Sequence, residues 1–269
     1  MEDVREALGR LYLRHRAPLA RLRNARVLGR LVHYVSHKLL PSDFRVWWQV
    51  EAGEAKGLWM KVSPRTAAQV RRANRSKRRW WRRLRPGMVF YDRGANIGLF
   101  TLMAARLVGE TERVFSFEPE PEIAARLREN SRHNLFFSWV TVVEAVLYSR
   151  SGKIGFNRAN KSESPDRGTG RVLNGGTKSS GAGVQAIALD DFVAAHPEPD
   201  VLKLDVGGAE VEVLQGARNL LQRRRTAVVS ELHSAECEAG VFRILEKHGY
   251  TVASLDENHV FAAAMTRRS

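Results

Sequence analysis

With 269 residues, 43% of them hydrophobic, the chain is long enough for one sizeable core and a small appendage. No apolar run approaches the roughly 18 residues that a membrane-spanning helix needs, and the single cysteine, Cys237, excludes an intrachain disulfide. A formal net charge of +15 favours acidic partners such as phosphates, nucleic acid or an anionic membrane surface.

The first forty residues carry Leu8, Leu11, Leu19, Leu22, Leu28 and Leu31 at helical spacing, with arginines between them and Pro18 separating two helices. The stretch begins without the charge, apolar core and cleavage site of a signal peptide, so a cytoplasmic protein is expected. Val46–Val50 and Leu58–Val62 read as two strands joined through Gly53 and Gly57. Residues 65–85 read as an arginine-rich helix ending at Arg85-Pro86-Gly87. Its basic face has four competing readings: a solvated surface, a grip on an acidic or phosphorylated acceptor, RNA contact with Trp80 or Trp81 stacking on bases, and peripheral membrane contact.

From Pro86 onward strands and helices alternate. Met88–Tyr91 is a buried strand, Asp92–Gly98 a glycine turn, and Leu99–Leu107 an amphipathic helix. Strands follow at Arg113–Glu118, Trp139–Ala145, Val201–Val206 and Ala227–Leu232, with helices at Glu122–Asn134, Gly208–Leu221 and roughly 235–248. A polar Gly/Ser-rich stretch, 157–183, reads as a long loop or lid. Tyr250–Ser254 and His259–Ala264 flank an Asp-Glu-Asn turn and predict a closing hairpin. The alternation predicts an α/β fold: a mostly parallel sheet with helices on both faces, as one domain over 86–269, with residues 1–85 as a basic extension over the cleft.

Ligands of such sheets bind beyond the carboxyl ends of the strands. Asp92 and Gly94, Glu118, Asp205, and Glu231 with His233 all fall there. Glu118 follows the glycine turn at the distance of the acidic residue that grips ribose hydroxyls in dinucleotide sites. The turn itself is not G-x-G-x-x-G, because Asn96 takes the middle position and Asp92 precedes the first glycine. That favours a cofactor carrying an amino-acid group over a nicotinamide.

The arrangement resembles the first motif of class I S-adenosylmethionine-dependent methyltransferases, and more closely the FkbM family. The matching residues are Pro86-Gly87, the D-x-G-A-N-I-G turn at 92–98, F-E-P at 117–119, N-x-x-x-N at 130–134, Lys203-Leu204-Asp205-Val206, Gly208-Ala209-Glu210, V-L-x-G-A at 213–217, and Glu231-Leu232-His233. The resemblance implies a seven-stranded Rossmann-like sheet and methyl transfer from S-adenosylmethionine to oxygen on a small molecule or glycan. It implies that Asp92, Gly94, Ala95, Asn96 and Gly98 line the methionine side of the cofactor and Glu118 its ribose, with no metal. Asp205, His233 and Glu231 are the candidates for acceptor positioning or proton removal, against a purely structural reading of each. Two rivals stand beside this: an RNA methyltransferase using the basic N-terminal region, and a degenerate fold serving as a binding module.

Two residues depart from the family pattern. Arg93 stands where a small apolar residue is usual, and Gly207 where an acidic one is. Period-2 alternation directs Arg93 to the face of Val89 and Tyr91, into sheet–helix packing, where Asp205 is a candidate partner.

Overall fold

Short apolar strands and amphipathic helices alternate through most of the chain in the computed structural model, which describes residues 44–63, 66–67, 70–71, 80–110, 113–157, 171–172 and 183–264. The expected N-terminal helices, most of the arginine run and most of the 157–183 loop lie outside these residues. The chain divides into two units, one holding the described residues up to 71 and the other those from 80 on.

In the first unit, β1 (Val46–Gln49) and β2 (Trp59–Val62) pair antiparallel, Val46 with Val62 and Gln49 with Trp59. Val46, Trp48, Met60 and Val62 are buried on one face, as period-2 alternation requires. The Arg71 guanidinium lies 5.0 Å from the Trp48 ring.

The second unit opens with one 3-10 turn, Trp80–Arg83. Trp80 stacks on Phe90 at 5.5 Å, and both Trp80 and Trp81 are buried. These rings belong to the core and are not available to stack on RNA bases. Next come β3 (Phe90–Arg93), α1 (Leu99–Val108), β4 (Val114–Phe117), α2 (Pro121–His133) and β5 (Val140–Val143). Then follow β6 (Val146–Tyr148), β7 (Gly152–Ile154), β8 (Phe156–Asn157), β9 (Arg171–Val172), β10 (Val184–Ala188) and α3 (Leu189–Phe192). The chain continues through β11 (Val201–Leu204), α4 (Glu210–Gln215), α5 (Arg218–Gln222), β12 (Ala227–Glu231), α6 (Ala235–Lys247), β13 (Tyr250–Asp256) and β14 (His259–Ala264).

Seven of these strands form one sheet in the order β13-β14-β12-β11-β3-β4-β5. β5, β4, β3, β11 and β12 run parallel, whereas β14 is antiparallel to both β12 and β13. The first strand of the sheet, β3, is central: the chain builds outward to β5, returns to β11 on its other side, and closes with the predicted hairpin inserted as β14. That reversal beside β3 opens a crevice at the carboxyl ends of β3 and β11, where α/β sheets bind ligands. This is the Rossmann-like α/β sheet expected from the sequence.

Two parts differ from the sequence reading. β6, β10 and β7 form a small separate sheet, and β8 pairs with β9 inside the stretch expected to be all loop. The single helix expected over 208–221 is two, because a Cβ at Gly216 would sit 2.2 Å from the Tyr148 carbonyl. The backbone passes close there, and Asp190 caps the restarted helix by accepting the Asn219 and Leu220 amides, both at 2.9 Å. No helix among the described residues is long and apolar enough to cross a membrane.

Candidate active site

The glycine turn is built by contacts that its own sequence does not reveal. Gly94 adopts φ 78°, and a Cβ there would lie 1.9 Å from the Asp205 carbonyl. Its missing side chain makes room for the backbone leaving β11, not for a ligand. Gly98, at φ 97°, lies against Leu127 of α2 and precedes α1. Asn96 holds a left-handed conformation at φ 50°, which asparagine tolerates better than most residues, and its Oδ1 accepts the Ile97 amide at 2.7 Å. Asn130, fully buried on α2, donates to the Ile97 carbonyl at 2.8 Å and ties the turn down from behind.

Every amide of the turn has a partner. Those of Gly94 and Ala95 reach the Phe117 carbonyl, that of Asn96 reaches Glu118 Oε2 at 3.0 Å, and that of Gly98 reaches the Ala95 carbonyl. A phosphate cradle needs such amides free. This turn therefore suits a ligand group that is not a phosphate.

Glu118 sits at the end of β4, 3% exposed, with its second oxygen accepting the Glu120 amide at 3.0 Å. Burial pushes its pKa up to about 7, against the pull of these amides and of Arg93. Each carboxylate oxygen retains a further lone pair, so the group can still receive two hydroxyls.

Asp92 is wholly buried in a polar network. It accepts from Thr101 Oγ1 at 2.7 Å and from Lys203 Nζ at 3.0 Å, and Thr101 also contacts the Ser116 hydroxyl at 2.9 Å. The Lys203 ammonium stands 3.6 Å from Asp205 Oδ2 and 5.0 Å from the Phe100 ring. Burial works against that charge, but Asp92 and Asp205 outweigh it and raise its pKa. Lys203 thus joins the strand under the turn to the carboxylate at the end of β11.

Asp205, Glu231 and His233, from the ends of β11 and β12, come together with their ligand atoms within 4.8 Å of one another. Burial raises the Asp205 pKa, Lys203 opposes it, and the charge of Glu231 together with a hydrogen bond to it raises it further. Such a donor set can hold a divalent cation, but Lys203 already supplies positive charge at 3.6 Å. His233 places Nδ1 3.0 Å from Glu210 Oε1, and that hydrogen bond raises its pKa. Glu210, fully buried, also receives the Val206 and Gly208 amides and the Cys237 thiol. Burial pushes the thiol up to about 12, so Cys237 is a donor and not a nucleophile. Glu210 and Lys203 are the residues around this cluster that sequence reasoning underweights. The G-A-E and K-L-D strings mark both, but only the fold shows what they hold.

Arg93 lies on the packing face as alternation predicts, 5% exposed and in register with Leu204 and Phe117. Asp205 is not its ion-pair partner: among the described residues Asp205 bridges to Lys203 instead, and Arg93 forms no bridge. Its Nε is buried without a hydrogen bond. Burial lowers its pKa to about 10 despite the fields of Glu118, Glu210 and Asp205. Gly207 has φ 67°, a left-handed conformation that strains a glutamate placed there.

Residues 92–252 match the family model of the methyltransferase FkbM domain. Hexuronic acid methyltransferase AglP of Haloferax volcanii is 33% identical over 161 residues, which are 59% of this chain and 62% of that protein. The chain thus spans less than two thirds of the length of AglP. The 31-O-demethyl-FK506 methyltransferase FkbM of Streptomyces tacrolimicus is 27% identical over 242 residues, 79% of this chain and 88% of that one. A crystal structure of methyltransferase FkbM from Methylobacillus flagellatus superposes with a TM-score of 0.49 at 15% identity, over 74% of this chain and 54% of that one.

Proposed function

The chain belongs to the FkbM methyltransferase family, and from that premise we propose that it methylates an oxygen of a sugar or other small hydroxylated acceptor, using S-adenosylmethionine. The observation that carries this reading is the convergence of Asp205, Glu231 and His233 at the carboxyl ends of two adjacent parallel strands, next to the glycine turn. The names of two relatives point the same way, one to a hexuronic acid and one to an O-demethyl acceptor.

The residues fit the cofactor. Glu118 is a buried carboxyl with acceptor capacity left for the ribose hydroxyls. The turn has no free amides for a pyrophosphate, but its carbonyls and Asn96 suit an ammonium. When bound, the cofactor supplies a sulfonium methyl for in-line displacement. The chain aligns the acceptor oxygen and accepts its proton.

Asp205 is the better base of the cluster. Its raised pKa makes it more basic than a free aspartate, and its hydrogen bond to Glu231 gives an accepted proton a second carboxylate to share. His233, bound to Glu210 and with a raised pKa, stands beside that pair. Lys203 fixes the Asp205 carboxylate relative to the turn.

The test is transfer of a labelled methyl group to a panel of neutral sugars and hexuronic acids, beside calorimetric titration with the cofactor. Label should appear in one acceptor class and fall at least tenfold in Asp205→Asn while cofactor binding persists. No cofactor binding at millimolar concentration would remove the proposal.

A further inference from the structure

Arg93 is the one buried side chain at the crevice whose charge the described structure leaves without a direct partner. It is 5% exposed, its Nε has no hydrogen bond, and no carboxylate among the described residues forms an ion pair with it. Yet three carboxylates act on it from different elements: Glu118 after β4, Glu210 opening α4, and Asp205 after β11. Each is committed elsewhere. Glu118 holds two amides, Glu210 holds His233 and Cys237, and Asp205 holds Lys203.

A guanidinium in this state is unfavourable relative to one that is paired, and its planar fork matches a carboxylate. The amides from Gly94 to Gly98 are all taken, so the turn offers no donors to a carboxylate lying over it. Arg93 stands directly before that turn. Resting on the methyltransferase reading, we propose that Arg93 is the receptor for a carboxylate carried by a ligand of the crevice. Two ligands of that reaction can bring this group: the cofactor, through its amino-acid end, and an acceptor that is a sugar acid.

Isothermal titration of wild type, Arg93→Leu and Arg93→Lys separates the sources. One pair of ligands is S-adenosylmethionine and its decarboxylated analogue. The other is D-glucuronate and D-glucose, added to protein loaded with S-adenosylhomocysteine. Wild type should prefer the carboxylate-bearing member of one pair by about 10- to 100-fold, the range of a charge-assisted contact. Arg93→Leu should lose that preference and Arg93→Lys retain part of it. Preference within the first pair assigns the cofactor as source, and within the second the acceptor. Absence of preference in wild type, or its survival in Arg93→Leu, overturns the proposal.

Melting of the ligand-free proteins gives a second readout. An unpartnered buried cation is a burden in the empty protein, so Arg93→Leu should melt at or above wild type. A clear fall in its melting temperature would make Arg93 a structural tie among Glu118, Glu210 and Asp205, and would overturn the receptor role. If no protein binds S-adenosylmethionine at millimolar concentration, the methyltransferase reading falls and this proposal with it. Binding with unchanged preference removes the proposal alone.

Discussion

Substituting Lys203 by methionine tests the polar network beneath the turn. The Lys203–Asp92 pair is almost completely removed from water, with side chains 5% and 0% exposed and 3.0 Å between charged atoms. Methionine keeps most of the volume, so the change deletes charge without opening a large cavity. It leaves the Asp92 carboxylate with only the Thr101 hydroxyl. Stranding one member of a buried pair costs about 3–5 kcal/mol, and loss of the Phe100 contact adds to that, ~0.5–1 kcal/mol. At roughly 2–4 °C per kcal/mol for a domain of this size, the melting temperature should fall by about 7–24 °C. Urea unfolding followed by circular dichroism gives the free energy directly. The companion Asp92→Asn/Lys203→Met should recover at least half of the loss, because no buried charge then remains unpaired. A loss below about 1 kcal/mol in the single variant, or a double variant no better than the sum of both singles, would refute the reasoning.

Gly94→Ala should abolish folding or lower the melting temperature more than Lys203→Met does, because the new methyl would lie 1.9 Å from the Asp205 carbonyl at a positive φ; scanning calorimetry checks it. Asn130→Ala leaves the buried Ile97 carbonyl without its donor. It should cost about 1–3 kcal/mol and weaken S-adenosylhomocysteine binding by loosening the turn, which denaturation and titration on one preparation measure together. Glu118, raised to about 7, must be ionised to accept two ribose hydroxyls. Cofactor affinity should therefore rise from pH 6 to pH 8 and level off above, and Glu118→Gln should flatten that slope; parallel slopes in calorimetry would show that another group titrates. The same raised pKa favours the native state below the unfolded value and loses that contribution as pH climbs toward 7, so wild-type stability should decline over that interval.

Periodicity carried the main sheet. β3, β4, β5, β11 and β12 are short apolar runs bounded by turns, and the hairpin of β13 and β14 shows itself through Asp-Glu-Asn. The small sheet did not show itself, since β6 and β7 have three residues each and pair through β10, over thirty positions further along. Nor did the break at Gly216, which answers to a carbonyl of Tyr148 far away in sequence. Period and propensity describe a segment, whereas these features are decided by which backbone comes close to it.

The site divides along the same line. Residue types at strand ends located Asp205, Glu231, His233 and Glu118, because carboxyl-edge chemistry depends on position along the chain. Which of them are free to work depends on register. β3 and β11 pair Asp92 with Lys203 and Arg93 with Leu204. One position along the strand therefore separates a buried cation facing a carboxylate from a buried cation facing leucine. Lys203 finds its counter-ion 111 residues away, and Arg93, next to that same aspartate in sequence, is turned to the opposite face of the sheet. Adjacent in sequence, Asp92 and Arg93 lie on different faces, as period-2 alternation predicts. Asp92 serves the fold through Lys203, and the unsatisfied guanidinium of Arg93 is left as the side chain whose missing partner a ligand can supply.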